Sequence, residues 1–398
     1  MIDPVAAVRA THRGAAPWPY RVLDVAALRA GGWRPSPVRE VVFKVHQRCD
    51  LACAYCYVYE RADQTWRDRP ATMPAEIRRA AVDRLARHVR AHGLGAVRVV
   101  LHGGEPLLYG AERLAELATE LRAAVPARVE IAIQTNGVRL DSATITTLRD
   151  HRIRAGVSLD GTAAVHDRFR RTRGGAGSFA AVARALDLLS RPENRPVYAG
   201  LLCTVSPDAD PIETFDQLVA FDPPAIDFLL PHANWAHPPG HTGTAYADWL
   251  IAVFDRWNGG PVRIRLFEDV MRLLLGRTAH GEQVGPGPAA VLVVETDGAI
   301  EQVDALKTAY HGAAATGLHV LRDDFDAALA DPGVVARQIG LLALADECLA
   351  CPVVGVCGGG HYAHRYRPGD GFRNPSVYCR DLAALIRHID EACRYTAV

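Results

Sequence analysis

The sequence predicts an α/β fold: a parallel sheet, either open or curled into an incomplete barrel, followed by a smaller cysteine-rich region. Three observations predict it. Between residues 40 and 235, six short β-branched apolar runs alternate with amphipathic helical stretches. The runs are separated by enough chain for a crossover helix each time. Five of the nine cysteines fall at or after Cys348, where regular apolar patterning fades. With 398 residues, 49% of them hydrophobic and 23% charged, the chain can fill more than one core, which excludes wholesale disorder. Lys plus Arg and Asp plus Glu both number 45, so no net field draws the chain to nucleic acid or an anionic membrane. No apolar stretch reaches the ~20 residues of a membrane span, and the N-terminus lacks a basic start followed by an apolar core. The expected location is cytoplasmic, without a nucleic-acid or membrane partner.

Residues 1–38, rich in Ala, Arg, Gly and Pro, show no sustained period and read as a partly ordered lead-in. It leaves no obvious room for a separate leader-peptide domain. The strands are expected at 41–45, 97–101, 129–133, 155–159, 198–204 and 226–230, because each run is short, apolar and β-branched. Amphipathic spacing places helices near 75–92, 111–124, 142–151, 178–190 and 211–220. Residues 39–235 are thus the barrel, and 236–284 a bridge with helices at 243–256 and 267–276. A Gly/Pro break precedes residues 285–398, which open with a hairpin around Thr296-Asp297-Gly298.

The connection after the first strand, 47–72, is long, and it carries Cys49, Cys53 and Cys56 in CDLACAYC. A structural zinc site usually wants four ligands, and His46 is the nearby fourth candidate. Three thiolates instead suit an iron-sulfur cluster with one iron open to a small ligand. Tyr55, directly before Cys56, sharpens that reading. Downstream, the second strand ends in LHGGEP. Gly103 and Gly104 permit close backbone approach, and Glu105 offers an acceptor for an ammonium group. QTNG, with Gln134 and Asn136, and SLDG, with Ser158, end the next two strands on the same rim. Arg170, in AVHDRFRR, is a candidate to hold a carboxylate bidentately, with Arg168 and Arg171 as alternatives.

These motifs resemble those of the radical S-adenosylmethionine (SAM) superfamily. The resemblance implies a partial (β/α)6 barrel and a [4Fe-4S] cluster on Cys49, Cys53 and Cys56 whose fourth iron is chelated by SAM. It also implies contacts to SAM from Tyr55, Gly103, Gly104, Glu105, Gln134, Asn136, Ser158 and Arg170, and a 5'-deoxyadenosyl radical that abstracts hydrogen. Cys348, Cys351, Cys357 and Cys379 resemble part of the SPASM extension of peptide-maturing members, which implies one auxiliary [4Fe-4S] cluster on those four thiolates. A tetrathiolate zinc site is the alternative, since spacing does not name the metal. His361 stands where that extension has a further cysteine, and Val303 where it has another, so the other auxiliary cluster is expected to be absent. Cys203 and Cys393 read as core or surface thiols.

Over about residues 39–390 the chain looks like the FxsB-type cyclophane-forming peptide maturases. That implies a ribosomally made precursor peptide as substrate, a bond between an aromatic ring and a neighbouring β-carbon, and a flavodoxin- or ferredoxin-type electron donor. Asp304 stands where some members carry a proton-accepting carboxylate, and a partly dry cavity would raise its pKa toward a useful value. A sulfatase-maturase-like peptide oxidase and a non-enzymatic zinc scaffold are the rival classes.

Overall fold

The six expected runs form neighbouring parallel strands in a computed structural model that describes residues 4–396. They are β1 (Glu40–His46), β2 (Ala96–Gly103), β3 (Arg128–Thr135), β4 (Ile153–Ser158), β5 (Tyr198–Thr204) and β6 (Ala225–Leu229). β7 (Arg263–Ile264) adds to β6, and β8 (Val291–Val294) lies parallel to β1 on its other side. β9 (Ala299–Glu301) and β10 (Ala315–His319) continue antiparallel. The sheet order is β10-β9-β8-β1-β2-β3-β4-β5-β6-β7. Strands β1 to β6 never reverse direction of winding. Right-handed crossovers then put their helices on one face, as in a barrel and unlike a doubly wound sheet. All six C-terminal ends share one rim.

Helix Ala75–Ala91 shows how the outer layer forms. Ile77, Ala81, Val82, Leu85, Ala86 and Val89 recur at helical spacing and are all buried against the sheet. Asp141 and Asp210 accept N–H bonds at the starts of helices Ser142–Asp150 and Pro211–Val219. No described helix is long and apolar enough to cross a membrane.

Two differences from the sequence expectation concern the ends of the chain. The lead-in is helical at Pro4–Ala15 and Val25–Ala30, and it carries Ala16 and Trp18 into a small core with Leu306, Tyr310, Tyr362 and Phe372. Its periodicity is hidden because half of that core is supplied by residues three hundred positions away. The expected division at 284/285 falls within one continuous sheet, since β8 pairs with β1, and one apolar core runs from Val38 to Ile389. Residues 1–3 and 397–398 of the expected terminal segments lie outside the described residues.

Candidate active site

The cysteine loop is built onto the rim by backbone bonds. Gly104 N–H donates to the His46 carbonyl at 2.9 Å and Glu105 N–H to the Arg48 carbonyl at 3.0 Å. Both glycines are obligatory here. Gly103 has φ of +146°, and a Cβ on it would stand 2.0 Å from the His46 oxygen; one on Gly104 would stand 1.9 Å from the Tyr59 hydroxyl. On its other side the loop is held by Ala52 N–H to Arg171 O at 2.7 Å, Ala54 N–H to Phe169 O at 3.0 Å, and Arg173 Nε to Cys49 O at 2.9 Å. Asn136, at the end of β3, donates to Asp50 at 2.8 Å and points the same amide at Cys49 Sγ, 3.7 Å away. Arg139 closes on Asp50 at 2.7 Å.

Cys49, Cys53 and Cys56 are partly buried free thiols. Burial pushes the Cys49 thiol up to about 12 and the Cys53 thiol up to about 11, and raises Cys56. Such thiols ionise in exchange for a cation. Leu51 N–H, 3.4 Å from Cys49 Sγ, supplies a donor for the resulting sulfur charge. Among the described residues, no three cysteine sulfurs converge within 4.8 Å as ligands of a single ion would. Leu51 N–H and the Asn136 amide are both turned on Cys49 Sγ, donors that suit a thiolate.

Beside Cys53 stands a second constellation. The Tyr55 hydroxyl donates to Asp160, and Arg170 Nη1 donates to the Tyr55 oxygen at 2.8 Å. Asp160 is fixed in turn by Thr204 N–H at 3.1 Å. Arg170 is buried, and its Nε has no partner. Arg168 instead reaches Asp208 at the surface, and Arg171 bonds the Asp167 carbonyl, so the geometry distinguishes Arg170 from its neighbours. The neighbouring His166 and Asp167 serve the fold: His166 meets Ser178 at 2.9 Å, and Asp167 accepts the N–H groups of Ser178 and Phe179 at 2.8 Å. Gln134 donates to Ser158 Oγ at 3.1 Å, so these two residues of adjacent strand ends act together. Sequence reasoning did not single out Asp160 or Asp50; each is an acid directly beside a motif residue, which is the signal that was available.

Two carboxylates stand in settings that the sequence does not show. Glu105 is fully buried and takes bonds from Leu107 N–H at 3.0 Å, Thr135 Oγ1 at 2.7 Å and Asn136 N–H at 2.8 Å. Burial raises its carboxyl to about 7. Its side chain locks β2 to β3, while its backbone seats the cysteine loop. Asp304, in turn, lies between Lys44 Nζ at 2.6 Å and Lys307 Nζ at 3.0 Å. Burial alone would raise its pKa, but Lys307 and Lys44 outweigh it and hold the carboxyl well below the usual range. The expected rise toward a useful base is reversed, because two buried ammonium groups face the carboxylate. Arg69, Glu295 and Glu301 complete the network, so three cations meet three buried carboxylates, with the more exposed Asp297 also 3.4 Å from Arg69.

At the far end of the chain, Cys348 lies in helix Asp346–Leu349, Cys351 just after it, Cys357 at the end of helix Val354–Cys357, and Cys379 at the start of helix Cys379–Thr396. Burial raises Cys348, with the charges of Cys379 and Cys351 adding to it, and burial raises Cys379, with Cys351 adding to it. Cys357, at about 11, is raised by burial with Cys379 and Cys348 adding to it. Arg365 braces the turn beside them by donating to the carbonyls of Gly358 at 2.7 Å, Gly359 at 3.1 Å and Gly360 at 2.6 Å.

Residues 43–216 match the Radical SAM superfamily. The serine-type anaerobic sulfatase-maturating enzyme of Klebsiella aerogenes is 27% identical over 374 residues, covering 88% of this chain and 87% of that protein. The cysteine-type enzyme of Clostridium novyi is 24% identical, covering 64% and 70%. Among solved structures, native anSMEcpe with bound AdoMet superposes with a TM-score of 0.77 at 21% identity over 90% of this chain and 99% of that one. Streptococcus suis SuiB bound to precursor peptide SuiA gives 0.60 at 14% identity, over 89% and 78%. The structural likenesses show a shared fold. The match over residues 43–216 takes in strands β1 to β5 and the cysteine loop on their rim, so this part of the chain is similar to the radical SAM superfamily, whose members use a [4Fe-4S] cluster and SAM.

Proposed function

We propose that this protein is a radical SAM peptide maturase that joins an aromatic ring carbon of a ribosomally made precursor peptide to the β-carbon of a nearby residue. When bound, the cluster and SAM supply the 5'-deoxyadenosyl radical that takes a hydrogen atom from the peptide. Cys49, Cys53 and Cys56 hold the cluster, and residues 39–235 form the part that generates the radical. Arg170 carries this reading: a buried guanidinium beside Cys53 with one unpartnered nitrogen is built to receive the carboxylate of an amino acid. Tyr55 and Asp160 orient it, and Gln134 and Ser158 offer polar contacts on the adjacent strand ends. Cys348, Cys351, Cys357 and Cys379 hold one auxiliary [4Fe-4S] cluster in residues 285–398, and a flavodoxin- or ferredoxin-type protein delivers electrons. The substrate class rests on the resemblance to cyclophane-forming maturases.

A sulfatase-maturase-like reading is favoured by the 27% identity across 88% of the chain. Against it stand His361 and Val303, at places where a full auxiliary cysteine set would have thiolates. Both products of a serine- or β-carbon-centred reaction lose two hydrogen atoms, so mass alone does not separate them. Co-expression with the peptide encoded beside the gene, followed by hydrazide labelling and tandem mass spectrometry, does. A crosslink leaves the product inert to hydrazide and suppresses backbone fragments between the joined residues; a hydrazide adduct overturns the crosslinking assignment. Replacing Cys49, Cys53 and Cys56 by Ala should abolish 5'-deoxyadenosine formation, and retained cleavage would remove the cluster from that site.

A further inference from the structure

His232, His361 and His364 come together from two distant parts of the chain, the loop after β6 and the turn after the glycine run at 358–360. One ring nitrogen from each lies within 4.8 Å of the others. The rings are 5.0 to 5.7 Å apart between centroids. His364 is buried with neither ring nitrogen hydrogen-bonded, and His232 Nδ1 is likewise buried without a partner. An unmet imidazole nitrogen inside a protein costs about 1–3 kcal/mol, and here several point at the same space. His361 Nδ1 is occupied by Ala363 N–H at 3.3 Å, which leaves its Nε2 for the cluster.

We propose that His232, His361 and His364 form a mononuclear site for a divalent first-row transition ion, with a fourth position open to water or a carboxylate. Three imidazoles converging with one position left is the donor set of open zinc and related sites. Binding needs the nitrogens to close from 4.8 Å or less to ~3.3 Å, the separation set by metal–nitrogen bonds of about 2.0–2.1 Å. The ligands are ready for it: both ring nitrogens of His364 and Nδ1 of His232 are buried with no hydrogen bond to give up. Arg61 acts on His232, and Arg337 and Arg365 act on His361. Arg337 is paired with Glu282 at 2.5 Å and Arg365 is spent on carbonyls. Their charge favours an anionic fourth ligand, hydroxide or carboxylate. Asp304, which acts on His232, supplies a nearby negative charge. Tyr57 packs edge-on against His232 at 4.9 Å, linking the site to the loop that carries Cys56.

The test uses the full chain, reconstituted anaerobically with iron and sulfide and then titrated with Co2+. One Co2+ per chain should bind beyond the clusters, with the visible ligand-field absorption of a low-coordinate histidine site and a rise in Tm that follows the titration. His364→Ala and His361→Gln should lose the absorption and the Tm response while keeping wild-type iron and sulfide content and peptide-free 5'-deoxyadenosine formation. His364→Phe, which preserves volume, covers the case in which His364→Ala does not fold. A wild type that takes up no Co2+ beyond its clusters overturns the proposal, as do folded variants that keep the band. The readout is independent of SAM cleavage, so an inactive chain with an intact cobalt spectrum would sink the proposed function and leave the metal site standing.

Discussion

The two cysteine regions are held in place by different means. Around Cys49, Cys53 and Cys56 the sheet does the holding: strand ends, Asn136, Arg171 and Arg173 bond the loop from several sides before any cofactor binds. Around Cys348, Cys351, Cys357 and Cys379 there is no strand: two four-residue helices, the start of helix Cys379–Thr396, a glycine run and one guanidinium carry them. The first region borrows the rigidity of a parallel sheet, so its geometry is preset. The second must draw on side-chain braces and on whatever its thiols bind, as small loop-rich regions generally do.

Removing the brace of the second region should have the largest effect. Arg365 makes three charge-assisted bonds to buried carbonyls, each with a net value of about 1.5–3 kcal/mol. Arg365→Ala should therefore cost more than about 4 kcal/mol, and the reconstituted protein should lose about four irons per chain while still cleaving SAM. Iron analysis beside a 5'-deoxyadenosine assay separates the outcomes: loss of both activities together would mean that the two regions are not independently held.

Next in size is the join between them. Lys44 on β1 and Asp304 after β9 pair across the sheet, with Lys307 on the other side of the carboxylate. Asp304→Asn leaves two buried cations short of one partner and should cost about 3–5 kcal/mol, read as a fall in the denaturant midpoint with unchanged slope. A loss under about 1 kcal/mol would show that water reaches these lysines.

How much of this was legible in the sequence follows from the range of the interactions. β1 through β6 were readable because strand burial imprints a local apolar pattern, and the cysteine loop because its three thiols lie within one turn of chain. Lys44 was not: a lysine inside an apolar run reads as the solvent side, and its partner Asp304 is 260 residues away in a 3-10 turn. The histidine cluster was hidden for the same reason, although His361 and His364 at a spacing of three were a visible half of it. The helix Pro4–Ala15 escaped notice because its Ala, Arg and Gly composition carries little hydrophobic contrast.

Glu105 allows a pH test of the sheet-held region. Its folded pKa, about 7, lies above the unfolded value near 4.5 because burial penalises the charge. The unfolded chain then binds fewer protons between those values, so stability falls as pH rises from about 4.5 to about 7, by on the order of 2–3 kcal/mol. Glu105→Gln, which keeps the size and an acceptor, should flatten that slope. An unchanged slope would assign the titration to another group.

The smallest effect should fall on ligand affinity alone, and it sharpens the comparison most. The preset rim implies that Arg170 waits in its bound position, held by Tyr55 and Asp160, with Nε still to be satisfied. Losing a charge-assisted contact to a carboxylate is worth about 1.4–2.8 kcal/mol, a ~10- to 100-fold weaker Kd. Arg170→Gln should therefore weaken SAM binding by that factor in the reconstituted protein, measured calorimetrically, while iron content stays at the wild-type level. Arg168→Gln, whose guanidinium bonds Asp208 at the surface, should leave the affinity unchanged. Decarboxylated SAM, which lacks only the carboxylate, completes the cycle: wild type and Arg170→Gln should bind it equally. If the variant loses affinity for both ligands alike, Arg170 acts by supporting the Tyr55 and Asp160 pair and does not touch the carboxylate, and the preset rim is then a scaffold for the cysteine loop only.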